Sequence, residues 1–140
     1  MSGESRYVLE GFAVPAQLEK VHRLLERAGA DHPDVDPTDL MLFETAVIEI
    51  ANNVVEHGRP AGEVRWRLTL KVSDAQIEAE LDDTGQEFTP GLDAVMPGED
   101  AESGRGLALA GAVLDMIELE RAGGENHWRM VRRLAPPPGR

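Results

Sequence analysis

A carboxylate and a carboxamide, Glu49 and Asn53, lie four residues apart in a segment whose apolar pattern predicts a helix. Side chains at this spacing lie one above the other on one face of a helix. A carboxylate can take a proton from a hydroxyl group or water, and an amide oxygen can bind a hard cation such as Mg²⁺. The pair therefore suits phosphoryl transfer, although an ordinary solvated helix face would carry the same two residues.

Two glycine-bearing segments follow this helix. Asp83 and Gly85 come at the end of a predicted strand, where an Asp can accept a hydrogen bond from the exocyclic amine of adenine and a Gly lets the backbone approach the ring. Gly104, Arg105 and Gly106 precede an apolar segment, and a Gly-x-Gly at a helix start presents N–H groups and a positive dipole end to phosphate. Taken singly, the first segment is also compatible with an ordinary turn and the second with a flexible loop.

Taken together and in this order, the segments resemble the N, G1 and G2 boxes of the Bergerat-fold (GHKL) ATP-binding proteins, which include histidine kinases, Hsp90, gyrase and MutL. The small size and the His57-Gly58 pair after the first box are most similar to the anti-sigma-factor serine-protein kinases of the RsbW and SpoIIAB type. Phe88 and Pro90 after the second box also fit that branch. The resemblance covers roughly residues 6–134.

The resemblance implies roles on the phosphate side of an ATP site. Asn53 would bind the Mg²⁺ that bridges the ATP phosphates, and Glu49 would be the general base. Gly104 and Gly106 would contact the phosphates, and Arg105 would add a positive charge near the γ-phosphate. The cofactors implied are therefore ATP and Mg²⁺.

On the base side, the resemblance implies that Asp83 accepts from the adenine amine while Gly85 packs on the ring. Two positions depart from the common pattern. Glu87 stands where many Bergerat proteins have the second glycine of the G1 box, and Asn126 stands near the start of the last strand, where a Thr usually follows a Gly. Two interpretations of Asn126 are open: it replaces the Thr hydroxyl, or that contact is absent.

The resemblance also implies a function and partners. The chain would be an ATP-dependent serine/threonine-protein kinase that phosphorylates a small STAS-type antagonist and sequesters a sigma factor or another target. A homodimer through the exposed edge of the first strand is implied in the same way. The alternative is a nucleotide-binding adaptor that sequesters a partner without phosphorylating it. Glu49 favours the kinase, because binding alone requires no base.

Composition limits the other classes of function. A chain of 140 residues predicts a single domain, residues 1–140. The net charge of −12 argues against a nucleic-acid surface. No apolar run approaches the roughly 20 residues that span a bilayer, and the N-terminal residues lack the layout of a secretory signal. We therefore expect a cytoplasmic protein that does not bind a membrane.

The apolar and turn patterns predict the order β-α-α-β-β-α-β-β. This order fits an α+β fold, a two-layer α/β sandwich with a mixed, mostly antiparallel sheet and helices on one face; the resemblance specifies the Bergerat type. The predicted strands and helices cover residues 6–14, 15–28, 37–58, 64–72, 77–81, 107–114, 117–121 and 127–134.

Three further predictions concern single features of this layout. Residues 91–103 correspond to the ATP lid of the resembled family, and residues 135–140 are predicted to be a flexible tail. Asp36 is a predicted N-cap, with Pro37 at the first helical position. Gly111 lies inside a predicted helix, where Gly costs about 1 kcal/mol relative to Ala, and this indicates tight packing against a neighbour.

Overall fold

The computed structural model describes residues 4–88 and 101–134, and for residues 101–105 the description is limited to the backbone. The predicted tail and all but the last residues of the predicted lid lie outside the described residues. Five strands and three α-helices are described, together with a short 3₁₀ turn, Pro15–Gln17, before the first helix. The strands and helices are β1 (Ser5–Phe12), α1 (Leu18–Asp31), α2 (Pro37–His57), β2 (Arg65–Val72), β3 (Gln76–Asp83), α3 (Ala101–Val113), β4 (Met116–Ala122) and β5 (Glu125–Arg133).

The five strands form one sheet in the order β1-β2-β3-β5-β4. All four pairings between described strands are antiparallel, so the parallel pairing that a mixed sheet would contain is not found among them. The predicted α+β sandwich is confirmed. The first strand lies at one edge of the sheet, as predicted, and β4 lies at the other.

One face of the sheet is apolar and forms the core with the helices. Because side chains alternate along a strand, the strand register places these residues in continuous rows across the sheet. Trp66 belongs to this core and is 3% exposed. The rows contain Leu9, Leu68, Leu81, Trp128 and Leu119, and beside them Tyr7, Leu70, Ala79, Met130 and Ile117.

The opposite face of the sheet carries charged side chains that pair across the strands. Nitrogen–oxygen distances in these pairs range from 2.6 Å for His127 and Asp82 to 3.9 Å for Arg129 and Glu118. Most of these groups are partly exposed, and such pairs contribute little to stability individually. Other pairs on this face are Arg67 with Glu10 and Arg129 with Glu78.

Helix α2 begins and packs as its sequence predicts. The carboxylate of Asp36 accepts a hydrogen bond from the Thr38 N–H at 2.7 Å, and Pro37 occupies the first turn. This cap satisfies one of the N–H groups that a helix start leaves unpaired. The apolar face of the helix is buried: Phe43, Val47, Ile50 and Val54 are each at most 4% exposed.

Helix α3 differs from the prediction at its start and in its interior. It begins at Ala101 rather than residue 107, so Gly104 and Gly106 lie inside the helix. Ala101 is a strong helix former, and α3 packs against α2, which stabilises the helix despite its glycines. The interpretation of Gly111 was wrong, because a Cβ at this exposed position would meet nothing within 4 Å.

A tight turn joins β4 to β5. Gly123 and Gly124 have φ angles of +59° and +77°, a left-handed conformation that favours glycine in two-residue hairpin turns. The turn places Arg121 opposite Asn126, and Asn126 in turn lies opposite Asp83 of β3. The hairpin therefore brings a basic side chain and an amide to the end of the strand that carries Asp83.

Candidate functional site

A cleft of about 360 Å³ opens along one face of α2. Glu49 and Asn53 both line it, as their spacing predicts for neighbours on one helix face. The remaining wall comes from the 3₁₀ turn, the start of α1, further positions of α2, and α3: Pro15, Leu18, Asn52, Val55, Glu56 and Gly106. The contribution of Pro15 and Leu18 was not predicted from the sequence.

The amide oxygen of Asn53 is the clearest unsatisfied group in this cleft. The residue is 6% exposed, and its Oδ1 has no hydrogen-bond partner among the described residues. A buried acceptor without a partner costs about 1–3 kcal/mol. A cation or a hydrogen-bond donor that reached Oδ1 would recover this energy, so Asn53 fits the expected role of a Mg²⁺ ligand.

The charges around the cleft also favour a divalent cation for anion binding. Glu49 and Glu56 line the cleft, and no Lys or Arg does so within the described part of the chain. In the same part, no group of three or more His, Cys, Asp or Glu residues forms a metal site. A cation here would therefore depend on Asn53 together with oxygens of the bound anion.

Gly106 brings α3 against the carboxylate of Glu49. A Cβ built on Gly106 would overlap with Glu49 Oε2 and would lie 3.4 Å from Cδ. Any larger residue would displace the carboxylate, so the glycine is required for this close approach. Gly104 and Arg105 lie in the first turns of the same helix, two residues and one residue before Gly106 respectively.

A second, much smaller cavity of about 10 Å³ lies on the other side of Asn53. Three aromatic rings line it one after another. The rings of His57 and Phe88 are stacked with centroids 5.6 Å apart, and the centroids of Phe88 and Trp128 are 5.8 Å apart. The other lining residues are Val54, Gly58, Asp83, Gln86 and Asn126. Asn53 lines both cavities and so connects them.

Asp83 is the buried acid of this second cavity and is 3% exposed. Its Oδ1 accepts hydrogen bonds from the Gly85 N–H and from Nδ2 of Asn126, both at 2.9 Å. Burial raises the pKa of Asp83, while the hydrogen bonds from Asn126 and Gly85 act in the opposite direction. The carboxyl group is thus held in place by two donors.

Gly85 packs closely against this carboxyl group. A Cβ added to Gly85 would lie 3.0 Å from Asp83 Oδ1 and 3.3 Å from Val64. A larger residue would therefore press on Asp83 and on Val64, which immediately precedes β2. The structure brings Glu49, Asn53 and Gly106 together at the large cavity. Asp83 lines the small one, and Gly85 contacts Asp83 without lining that cavity.

Arg121 is the residue near Asp83 that the sequence analysis missed. Its Nη1 donates to the Gly85 carbonyl oxygen at 2.6 Å and to Asn126 Oδ1 at 3.2 Å. The hairpin register would have revealed it, because the Gly123-Gly124 turn fixes the pairing of Arg121 with Asn126. Asn126 itself donates a hydrogen bond to Asp83.

Comparisons with known proteins agree with this geometry. Residues 12–132 match the family described as histidine kinase-like ATPase domain. The chain belongs to this family. It is a GHKL-type domain, and the five-stranded sheet with its helices is the fold expected of such ATPase domains.

A solved structure also has this fold. The crystal structure of the RsbU and RsbW domains of Rv1364c from Mycobacterium tuberculosis matches with a TM-score of 0.68 and 20% sequence identity. The match covers 95% of this chain and 33% of the other, so this histidine kinase-like ATPase domain spans about a third of that chain's length. The search of curated proteins gave no match. Among the described residues, no helix is long and apolar enough to cross a membrane.

Proposed function

We propose that this histidine kinase-like ATPase domain is an ATP-dependent serine/threonine-protein kinase of a partner-switching system. It phosphorylates a Ser or Thr of a small STAS-type antagonist and sequesters a sigma factor or another target. The observation that supports the proposal best is the pair in the large cleft, where a buried, unpaired amide oxygen of Asn53 stands beside the Glu49 carboxylate.

The proposal assigns the phosphate end of ATP to the large cleft. Asn53 would hold Mg²⁺, which neutralises phosphate charge when bound. Gly104 and Gly106 would approach the phosphates, and Arg105 would stand near the γ-phosphate. Glu49 would accept the proton of the acceptor hydroxyl group. Such a positioned base typically contributes about 10²–10⁴-fold to the rate.

The base end is assigned to the small cavity. Asp83 would accept a hydrogen bond from the adenine amine, and Gly85 would let the ring approach. The structure supports this because Asp83 is buried and already held by two donors. At about 10 Å³ the cavity is far smaller than a purine, so the Phe88 ring would have to move when the base enters.

Two measurements test the proposal. Calorimetry with ATP and Mg²⁺ should detect binding by the wild-type chain, and Asn53→Ala should weaken it by the roughly 1–3 kcal/mol of one polar contact. Transfer from γ-labelled ATP to a STAS-domain protein recovered with the chain from native lysate should be Mg²⁺-dependent. Absence of ATP binding in the wild type would refute the site assignment.

Glu49→Gln separates the kinase from the non-catalytic adaptor. The substitution keeps size and polarity but removes the basic oxygen. ATP affinity should stay within a few-fold while transfer falls about 10²–10⁴-fold. ATP binding without any transfer by the wild type would instead identify an adaptor that sequesters its partner without phosphorylating it.

A further inference from the structure

The side-chain amide of Asn126 uses its whole hydrogen-bonding capacity within the protein. Nδ2 donates to Asp83 Oδ1 and to the Gln86 carbonyl oxygen, both at 2.9 Å. Oδ1 accepts from the Phe88 N–H at 3.3 Å and from Arg121 Nη1 at 3.2 Å. A carboxamide has two N–H donors and two acceptor lone pairs, so no group remains for a ligand. Asn126, which is 2% exposed, therefore acts through its neighbours.

The neighbours fix the orientation of this amide. On one side, the Arg121 guanidinium and the Phe88 N–H can only donate. On the other side, the Gln86 carbonyl oxygen and an ionised Asp83 can only accept. A reversed amide would place donors against donors and acceptors against acceptors, so Nδ2 must face Asp83.

This orientation matters because Asp83 is buried. Burial opposes the charged form of the carboxyl group and raises its pKa, and the neighbouring Asp82 carboxylate acts in the same direction. The hydrogen bonds from Asn126 and Gly85 and the charge of Arg121 lower it. His57 is the other titratable side chain that lines the small cavity among the described residues. Both hydrogen bonds reach Oδ1, and among the described residues no hydrogen bond reaches Oδ2. An ionised Asp83 therefore keeps Oδ2 as an acceptor.

We propose that Asn126, oriented by Arg121, is a positioning residue that keeps Asp83 an ionised acceptor and so sets the lower pH limit of adenine recognition. The inference rests on the proposed role of Asp83 in binding ATP. An ionised carboxylate accepts from the adenine amine at either oxygen. A protonated carboxyl group carries a hydrogen on one oxygen and is a weaker acceptor at the other.

The matched pair Asn126→Thr and Asn126→Val tests the inference. The two side chains have nearly the same shape, but only Thr keeps a hydroxyl donor beside Asp83. The first measurement is the titration of the Asp83 carboxyl group by ¹³C NMR in the nucleotide-free protein. We expect a higher pKa in Asn126→Val than in the wild type, with Asn126→Thr in between.

The second measurement is the Kd for Mg²⁺-ATP as a function of pH. The hydrogen bond from Asn126 to Asp83 lies within the protein and is not a contact with the nucleotide, so the expected effect is a shift of the pH profile. In Asn126→Val the loss of affinity on acidification should begin at a higher pH than in the wild type. Asn126→Thr should lie between the two.

Arg121→Met provides a second variant if Asn126→Val does not fold. It retains the apolar stem and leaves Asn126 in place, but removes the donor and the charge, so Asp83 should again titrate at a higher pH. The same titration of Asp83 in the wild type and in the variants that fold would overturn the inference. A raised pKa with an unchanged pH profile of ATP binding would also overturn it.

The carboxyl titration requires no nucleotide. It therefore decides whether Asn126 holds Asp83 ionised even if ATP does not bind. Failure of the wild type to bind ATP would refute the proposed function instead, and the two failures are distinguishable.

Discussion

Gly106→Ala should disable phosphate transfer without harming the fold. The added methyl group would overlap with Oε2 of Glu49, which lies at the end of a side chain that can rotate away. To reach an ordinary contact of about 3.5 Å, the oxygen must retreat by about 1 Å. A misplacement of this size costs about 10²-fold in rate when the group acts in the chemical step.

The same substitution should not lower stability. Ala is favoured over Gly inside a helix by about 0.5–1 kcal/mol, and this gain offsets the cost of moving the Glu49 side chain. We therefore expect Gly106→Ala to melt within a few degrees of the wild type. Because the proposal also places Gly106 beside the phosphates, the ATP affinity of the variant should fall as well, but less than the transfer rate, since Asn53 and Asp83 are untouched.

Gly111→Ala is the matched control. It makes the same substitution in the same helix, five residues further on, where a Cβ meets nothing within 4 Å. The assay is transfer from γ-labelled ATP to the antagonist at saturating ATP, with thermal melting of each variant. Full transfer by a folded Gly106→Ala would refute the reasoning. An equal loss in both variants would trace the effect to the rigidity of α3 instead of the contact with Glu49.

Two further predictions concern titratable groups. Asp83→Asn should abolish measurable adenine recognition, because its amide can present a donor where the carboxylate accepts. The variant should not be less stable at pH 7, since a neutral group avoids the desolvation that raises the Asp83 pKa. Calorimetry and melting curves check the two expectations, and strong ATP binding by this variant would contradict the assignment. His127 has a raised pKa, chiefly through its hydrogen bond to Asp82. Its contribution to stability should be complete below about pH 6.5 and lost as the pH rises through the folded-state pKa. The difference in Tm between wild type and His127→Gln should therefore be larger at about pH 6 than at about pH 9, and a constant difference would exclude the His127–Asp82 pair as its cause.

The parts of the fold that depend on local sequence were predictable. The Asp36 cap, the start of α2 at Pro37 and the Gly123-Gly124 turn each follow from the conformational preferences of a few adjacent residues. The buried stripe of α2 follows from its 3.6-residue period. The cap, the helix start, the turn and the buried stripe are all found in the structure.

The start of helix α3 and the roles of its glycines were harder to predict, because the residues around each glycine do not show which of them makes a close contact. Gly106 is required by a contact with Glu49, which lies 57 positions earlier in the sequence. Gly111 has no such contact. Reading both glycines as local features placed the helix start too late and predicted packing where none exists.

The network around Asp83 was only partly predictable. The sequence singles out Asp83 and Asn126, but the link from Arg121 through Asn126 to Asp83 depends on the register of three strands. The pairing of β3 with β5 is a contact between strands distant in the chain, which no local pattern specifies.

The aromatic wall of the small cavity also gives the protein an intrinsic optical reporter. The chain has two tryptophans: Trp128 lies 5.8 Å from the Phe88 ring at the cavity, whereas Trp66 lies elsewhere in the core. Indole emission depends on the groups packed around the ring, so a displacement of Phe88 changes the signal of Trp128 more than that of Trp66. Events at this cavity are therefore visible in unlabelled protein by fluorescence, in real time and at micromolar concentrations.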